Sequence, residues 1–352
     1  MKISIGSNII NGPWGGGNQF AISLSRYLKN RGWDVTTGLS DGDIDIILMT
    51  EPRITSKSGA YNQRQISRYL IKKPDTIVIH RINECDERKG TKGVNKYLMR
   101  ANRVADYTVF ISSYLENLFI SNKILKAKNH TFIRNGADET IFNLKRRARW
   151  DGCGPLRLVT HHWGANYYKG FDIYEMIDNL VKKGINGLKL EFNYIGNVPE
   201  DFNFKNSKKF SPLIGEKLTD KIKENHIYIT ASMNEPAGMH HIEGAMCGLP
   251  LLYRNSGGIP EYAEGFGKMF NGKEDFLSKL KEIIKEYDFY YNKMKKYPYN
   301  SILMCSKYEE LFCKLLKHKE SFNLQSRKRK YRKIYLKEKF IYPKGISIFQ
   351  KF

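Results

Sequence analysis

The sequence is poor in cysteine, in acidic residues and in long apolar runs. Its five cysteines are scattered and odd in number, and none forms a C-x-x-C pair, which argues against a disulfide framework and a structural zinc site. A reducing compartment such as the cytoplasm is therefore expected. No apolar run is long enough to cross a bilayer, and the N-terminus lacks the apolar core of a signal peptide. We expect a protein that is soluble or bound at the inner face of a membrane.

The scarcity of acidic residues leaves a large positive charge. Against 59 Lys and Arg there are only 36 Asp and Glu, a formal net charge of +23. The segment 321–352 contributes strongly, because it holds ten Lys and Arg and a single acidic residue, Glu338. Such a balance favours anionic partners. An anionic membrane surface and a lysine-rich compositional bias explain it equally well, and nucleic acid is the weaker alternative.

Apolar runs alternate with amphipathic segments along most of the chain. In the first half this pattern predicts strands at 2–10, 45–49, 76–80, 107–111 and 130–133, with helices at 18–29, 61–71, 93–103 and 113–125. In the second half it predicts strands at 156–160, 188–195 and 226–230, with helices at 170–183 and 215–224. Strands that alternate with helices predict an α/β protein with two Rossmann-like halves, whose ligands bind at the carboxyl ends of the strands.

The segment after the strand at 226–230 combines a carboxylate with a predicted helix start. Pro236 suits a first helical position, which places Glu235 in the loop just before the helix. The amides of Ala237, Gly238 and Met239 would then be free to bind an anion, and Gly238 would let a ligand approach closely. This pattern predicts a site for a phosphate or a sugar oxygen.

A second carboxylate, Glu243, follows in the same predicted helix. It lies about 10 Å along the axis from the first turn, roughly the reach from a sugar across a diphosphate to a ribose. Glu235 and Glu243 could therefore hold opposite ends of one nucleotide sugar. The spacing alone fits equally well an ordinary surface helix, capped by Glu235 and with Glu243 in solvent.

Three motifs in this region carry a resemblance to a known family. They are Ser232-x-x-Glu235, then Glu243-Gly244-Ala245-Met246-x-Gly248-x-Pro250, and Ser256-Gly257-Gly258-Ile259-Pro260-Glu261. Together they resemble the donor site of retaining GT-B fold glycosyltransferases of the large group 1 (glycogen synthase/mannosyltransferase-like) family. The resemblance covers 1–317 and implies two Rossmann-like domains that face each other across a cleft.

The resemblance also implies a division of the chain. An N-terminal, acceptor-side domain is expected over 1–140 and a C-terminal, nucleotide-sugar-binding domain over 141–299, with the passage between them after Asn135-Gly136. A crossover helix within 300–320 is expected to pack on the first domain. The basic tail, 321–352, is expected to be an appendage.

Further donor-binding residues follow from the resemblance. The loop Gly12-Pro13-Trp14-Gly15-Gly16-Gly17-Asn18 corresponds to one beside the donor phosphates, so Gly16 and Gly17 are expected there, with Asn18 as a helix cap. Lys169 is expected to stabilise the departing diphosphate and is assigned as catalytic together with Glu235. His162 or Trp163 stands where the family usually has an arginine, and both are included as donor-binding residues.

The predicted strand at 76–80 places polar residues at the same crevice. In similar enzymes a histidine at this strand end contacts the transferred sugar, so His80 is assigned as catalytic. The residues that follow it are suited to hold a polar acceptor: Arg81, Asn83, Glu84, Asp86 and Arg88, of which the first three are the predicted acceptor-binding set.

No metal site or cofactor is predicted. Asp41-Gly42-Asp43 precedes a strand and is expected to be an exposed turn rather than a metal-binding D-x-D motif, and His161-His162 has no third ligand at helical spacing. The resemblance implies a metal-independent reaction in which protein cations and helix N-termini replace Mg²⁺.

The expected activity is therefore the transfer of a hexose from UDP- or GDP-hexose to a glycan, lipid-linked or other acceptor. Two alternatives remain open. The first is a nucleotide-sugar epimerase or sugar phosphorylase of the same fold. The second is a basic protein with an inactive site that binds a membrane through 321–352 or, less favoured, nucleic acid.

Overall fold

A computed structural model describes residues 1–10, 12, 15–53, 56–127, 129–319 and 322–341. The first domain contains the following elements: β1 (Lys2–Ile5), α1 (Gly16–Asn30), β2 (Asp34–Thr36), β3 (Ile46–Met49), α2 (Gln63–Lys72), β4 (Ile77–Ile82), α3 (Val94–Ala101), β5 (Tyr107–Phe110), α4 (Ser113–Ile120) and β6 (His130–Phe132).

In the described residues these strands form one six-stranded parallel sheet in the order β2-β1-β3-β4-β5-β6. Both faces of the sheet are covered, as β3 shows: Ile46 and Leu48 pack in the core shared with α1, while Ile47 and Met49 pack in the core shared with α2. The edge strand β2 is only three residues long and was not predicted. The first strand also ends at Ile5, whereas the sequence predicted that it continues to residue 10.

The second domain repeats the pattern. Its elements are β7 (Leu156–His162), α5 (Phe171–Lys183), β8 (Leu190–Gly196), β9 (Lys208–Phe210), α6 (Gly215–Lys223), β10 (Ile227–Thr230), α7 (Met239–Met246), β11 (Leu251–Arg254), α8 (Ile259–Ala263), β12 (Gly267–Phe270), α9 (Lys273–Lys285) and α10 (Tyr287–Lys293). Within the described chain its sheet is six-stranded and parallel, in the order β12-β11-β10-β7-β8-β9. The predicted α/β class with two Rossmann-like domains is confirmed.

The helix α11 (Ser301–Lys317) returns to the first domain. It begins at Asn300, whose side chain accepts a hydrogen bond from the amide of Leu303. Tyr308 packs edge-on against Phe20 of α1, with ring centroids 5.1 Å apart. Helix α11, which follows the second domain in the sequence, is thereby packed on the first domain.

The basic segment after α11 is folded against the protein. Helix α12 (Leu324–Phe340) lies along α2, with Tyr331 fully buried and the Arg327 guanidinium paired with Asp106 at 2.5 Å. Its acidic residue, Glu338, accepts a hydrogen bond from Gln63 in the interface. The interpretation of the tail as an appendage is therefore wrong for 324–340, while 342–352 lies outside the described residues. None of the described helices is long and apolar enough to span a membrane.

The two domains meet through an ordered interface beside the cleft. The carboxylate of Glu261, in α8, accepts hydrogen bonds from the amides of Ser113 (2.9 Å) and Tyr114 (2.7 Å) at the start of α4. The neighbouring Tyr262 hydroxyl accepts from the amide of Asn135 at 2.9 Å and donates to a carbonyl of the first domain. A side chain of the second domain thus caps a helix of the first.

Candidate functional site

The loop between β10 and α7 is more extended than the sequence predicted. Helix α7 begins at Met239, with Gly238 as its N-cap, so Pro236 lies three positions before the first helical residue instead of opening the helix. Two hydrogen bonds to the loop before α8 hold this segment out of the helix: the amide of Asn234 donates to Ser256 Oγ, and the amide of Gly258 donates to the carbonyl of Glu235.

Because the helix starts later than predicted, different amides are free at its N-terminus. Helix geometry leaves the amides of Met239, His240 and His241 without intrahelical partners. Of the three residues predicted to supply amides, only Met239 lies in the first turn, and Ala237 and Gly238 lie in the loop before it. Gly238 is needed there because a Cβ would come within 2.4 Å of the His240 ring.

Glu235 lies in this loop and is held by two cations. The Lys169 ammonium is 2.5 Å from Glu235 Oε2, and the Arg88 guanidinium Nε is 3.2 Å from Oε1. Only 3% of Glu235 and 6% of Lys169 is exposed. Burial by itself would raise the pKa of Glu235, but Arg88 and Lys169 outweigh it and hold the pKa well below its usual value. The carboxylate is therefore ionised across the physiological pH range.

Lys169 reaches Glu235 because a glycine brings two loops together. It ends a 3-10 turn (Tyr167–Lys169) that follows β7, and Gly170 continues with a φ of 99°. A Cβ at Gly170 would lie 2.4 Å from Ala231 at the end of β10. The Lys169-Gly170 pair singled out from the sequence thus places the ammonium beside the loop of Glu235.

Glu243 is anchored by a histidine within the second domain. Its Oε2 lies 2.7 Å from His161 Nε2, and the Tyr228 hydroxyl lies 2.9 Å from His161 Nδ1. That hydroxyl also accepts a hydrogen bond from the His161 amide, so Tyr228 holds both the backbone and the ring of His161. The sequence reasoning did not identify His161 as a partner, because the two residues are 82 positions apart.

His162 and Trp163 have different surroundings. His162 is buried, with Nε2 hydrogen-bonded to the Tyr174 hydroxyl at 2.7 Å and its ring packed against His240. Burial, together with the nearby Lys169, lowers the pKa of His162 well below its usual value. His162 is as buried as Glu235 and Lys169, and its contact with the donor stays a prediction. Trp163 is 44% exposed in the loop after β7.

The predicted glycine loop brings the two domains into contact. A Cβ at Gly16 would lie 2.3 Å from the Met239 side chain, so only glycine lets the start of α1 approach the start of α7 this closely. A Cβ at Gly17 would lie 3.7 Å from Asn83 Nδ2. Asn18 is not the helix cap, since Gly15 holds that position and the Asn18 side chain binds the backbone of Ile10. Pro13 and Trp14 lie outside the described residues.

His80 lies inside β4 rather than at its end. Its side chain is fully buried, and Nδ1 is 3.0 Å from the Asn102 amide nitrogen. Burial lowers the pKa of His80 to about 3, so the ring is neutral. The strand runs two residues further than predicted, to Ile82, so the placement of His80 at a strand end is wrong, while its contact with the sugar stays a prediction.

The residues after His80 divide into two groups. Arg81 is buried, stacks on Phe20 at 3.8 Å and donates to Asn135, so it supports the interface instead of facing an acceptor. Asn83 and Glu84 follow the end of β4 and lie at the cleft, where Asn83 neighbours Gly17. Asp86 instead accepts hydrogen bonds from the amides at the start of α3.

One histidine that the sequence reasoning left without a role stands out. His241, in the first turn of α7, is fully buried, and within the described residues neither of its ring nitrogens has a hydrogen-bond partner. Burial is the main cause that lowers its pKa to about 3, although Glu235 opposes the shift. Its ring instead packs edge-on against His240 and Tyr262. Among the described residues, no group of His, Cys, Asp or Glu side chains could hold a metal ion.

Comparison with known proteins extends this description. Neither a protein-family model nor a curated protein matches the sequence. Among solved structures, sucrose-phosphate synthase from Thermosynechococcus elongatus is 13% identical, with 90% of this chain and 99% of that chain covered and a TM-score of 0.61. HepE from Anabaena in complex with UDP-glucose is 10% identical, with 89% and 99% covered and a TM-score of 0.63. An α-glucosyltransferase in complex with UDP-glucose and DNA is 11% identical, with 89% and 98% covered and a TM-score of 0.58.

These similarities extend over both domains and nearly the full length of the solved proteins. With two parallel six-stranded sheets in the described chain, they establish that this chain has the GT-B fold.

Proposed function

We propose that this protein is a glycosyltransferase that moves a hexose from a nucleoside diphosphate sugar to a glycan or lipid-linked acceptor, with retention of the anomeric configuration. The observation that carries the proposal is the buried Lys169–Glu235 pair beside the start of α7 at the cleft. A permanently ionised carboxylate can accept hydrogen bonds from sugar hydroxyls. The ammonium beside it can stabilise a phosphate that binds at the helix start. An ion pair far from a helix start would have only a structural role.

Each end of the donor has a group suited to it. Glu235 would accept hydrogen bonds from the sugar, the amide of Met239 and the ammonium of Lys169 would bind the diphosphate, and Glu243 would accept from the ribose diol. As the glycosidic bond breaks, its electron pair passes to the phosphate oxygen. That oxygen then takes the proton of the acceptor hydroxyl on the same face of the sugar, so no protein base is required.

A uridine nucleotide is the first donor to test. HepE and the α-glucosyltransferase, which share the fold, were solved with UDP-glucose bound. The acceptor is proposed to bind on the first domain beside Asn83 and Glu84. A polar edge of this kind suits compounds that carry hydroxyl groups.

Calorimetry with UDP, GDP and ADP tests the donor site. Wild-type protein should bind one of them saturably, and Glu243→Ala should weaken that binding about tenfold or more, as expected for the loss of a charge-assisted hydrogen bond. Glu200→Ala removes an exposed glutamate of the same domain and should bind as wild type. Absence of binding to all three nucleotides would overturn the proposal.

Turnover of UDP-glucose and GDP-mannose separates transfer from epimerisation. A transferase releases free nucleoside diphosphate, slowly to water and faster when an acceptor is added, whereas an epimerase retains the diphosphate in its product. Glu235→Gln should slow this release without weakening nucleotide binding, since its carboxylate is assigned to the sugar.

The proposal includes a membrane surface as the place where the acceptor is met. Helix α12 packs on the acceptor-side domain with its buried Tyr331, and its outer face exposes several cations together with Leu336, Phe340 and Ile341. Basic and apolar side chains at one surface suit anionic lipid headgroups. The exposed cations of α12 are Lys328, Arg329, Lys330, Arg332, Lys333, Lys337 and Lys339.

Co-sedimentation with vesicles tests this part. Wild-type protein should bind phosphatidylglycerol vesicles at low salt and release them at high salt, and it should not bind phosphatidylcholine vesicles. Replacing Arg332, Lys333 and Lys337 with Gln should reduce binding, while the same change at the exposed Lys182, Lys183 and Lys189 should not. Equal binding by both triple variants would contradict a role for α12.

A further inference from the structure

Arg88 comes from the first domain but lies at the donor site of the second. It follows β4 in the loop 83–93, and its guanidinium contacts two carboxylates: Glu84 of its own loop at 2.9 Å and Glu235 across the cleft at 3.2 Å. The sequence reasoning had grouped it with residues suited to an acceptor. The structure instead places it on the carboxylate that Lys169 also binds.

The loop that carries Arg88 is fixed on both sides of this contact. Asp86 holds its base by accepting hydrogen bonds from three successive amides at the start of α3. Near its tip, the Asn234 side chain donates to the carbonyl of Glu87 at 3.3 Å. Gly90 lies so close to Tyr168 that a Cβ there would be 3.1 Å from the hydroxyl. The loop therefore contacts the neighbours of both Lys169 and Glu235.

The charged groups around Glu235 include one more cation than carboxylates. Arg88 and Lys169 both contact the Glu235 carboxylate. Arg88 also pairs with Glu84, and the Lys89 ammonium lies 3.9 Å from the Glu84 carboxylate. Three cations thus face two carboxylates in a site where Glu235 and Glu84 are nearly inaccessible. A bound anion would restore the balance.

We propose that Arg88 is a second diphosphate-binding cation, which the first domain contributes to the donor site of the second. This inference rests on the proposed function and names a residue that the sequence assigned elsewhere. An arginine presents a planar fork that can bind two phosphate oxygens, whereas Lys169 offers a point charge. When the glycosidic electron pair passes to the β-phosphate oxygen, the diphosphate gains negative charge between the two cations. Glu84 acts as a positioning residue that holds Arg88 when it turns from Glu235 to the phosphate.

Because the two cations belong to different domains, the diphosphate would join the domains on binding. Without a donor, Glu235 occupies both cations and holds the cleft closed on this side. With a donor, the phosphates replace the carboxylate as their partner.

Paired calorimetric titrations with a nucleoside diphosphate and its monophosphate test the assignment, using whichever of UDP, GDP or ADP binds wild type. Arg88→Gln should weaken diphosphate binding about tenfold or more, with a much smaller effect on the monophosphate. Arg88→Lys should recover part of the loss, because it restores the charge without the fork. Arg149→Gln, which removes an exposed guanidinium paired with Asp288, should bind both nucleotides as wild type.

Glu84→Gln provides a second test if Arg88→Gln folds poorly. It leaves the guanidinium in place but removes its support, so diphosphate affinity should fall less than in Arg88→Gln while the monophosphate is again spared. A purely structural ion pair would lower thermal stability and affect both nucleotides equally, which would overturn the inference. Wild-type diphosphate affinity in Arg88→Gln would also overturn it and leave the proposed function standing. Failure of wild type to bind any nucleotide would overturn both.

Discussion

Glu235 and Glu243 lie on either side of the start of α7 and are held by different kinds of partner. Glu235 is bound by two cations, one from each domain. Glu243 accepts a hydrogen bond from His161, which a tyrosine hydroxyl fixes in turn, all within the second domain. A charged ligand can exchange with the ion pairs of the first carboxylate, whereas a hydroxyl ligand can add to the second without breaking its bond. The comparison therefore supports the proposed roles, with the sugar and diphosphate on the Glu235 side and the ribose on the Glu243 side.

Removing Lys169, one of the two cations on Glu235, should have the largest effect on turnover. In Lys169→Met the leaving diphosphate loses a buried cation, and we expect kcat for nucleotide release from UDP-glucose to fall by about 10²- to 10³-fold. Lys189→Met removes an exposed lysine of the same domain and should keep wild-type turnover.

A double variant separates catalysis from folding in that experiment. Lys169→Met leaves Glu235 buried with one cation fewer, so part of any stability loss comes from this charge. Adding Glu235→Gln should recover the melting temperature without recovering kcat. Recovered turnover in the double variant would contradict the direct role of Lys169.

Changes at His161 should have a smaller effect that is confined to binding. In His161→Phe the Glu243 carboxylate loses its donor, and we expect nucleotide affinity to fall by about three- to tenfold, in line with the net value of one hydrogen bond. Tyr228→Phe, which removes only the hydroxyl that orients the imidazole, should lose less. Calorimetry measures both, and a fall in kcat with unchanged affinity would argue against the ribose assignment.

The smallest expected effect is the pH dependence of stability. The pKa of Glu235 is held below its usual value of 4.5, so its stabilising contribution is fully present above that pH and is lost only as the pH falls further. His241 has its pKa lowered from 6.5 to about 3, so between these limits the unfolded chain takes up a proton that the folded chain does not.

Stability should therefore begin to fall below pH 6.5, by about 1.4 kcal/mol per pH unit for each such histidine. Urea unfolding at pH 7.5 and 5.5 should show a smaller difference in His241→Gln than in wild type. Glu235→Gln should leave the difference between these two pH values unchanged. An unchanged difference in His241→Gln would show that His241 is not kept neutral by burial.

The sequence was a good guide where the signal is local. The alternation of apolar and amphipathic segments predicted both Rossmann-like sheets, and Lys169 was singled out because it follows a predicted strand at a helix start, where the resembled family has a lysine. Predictions failed where tertiary contacts override local preference. Pro236 suits a helix start, yet hydrogen bonds from the loop before α8 hold that segment outside the helix.

The remaining differences concern residues distant along the chain. His80 was assigned from its place after an apolar run, but β4 continues past it, and Asn102 binds its ring from another element. The placement of Arg88 beside Glu235 depends on how two domains face each other, which no local pattern contains. The docking of α12 depends on Tyr331, Glu338 and Arg327, whose partners in the first domain are more than 200 positions away along the chain.

The cap that Glu261 forms on α4 also bears on how the cleft admits a molecule. Its two backbone hydrogen bonds are supported by Tyr262, whereas the contacts of Arg88 and Met239 across the cleft are made by side chains. An opening motion that keeps the cap intact would leave Glu261 on α4 and would break the side-chain contacts, among them the one that joins Arg88 of the first domain to Glu235 of the second. The cleft would thus open at its charged groups, and an incoming donor would meet the cations there first.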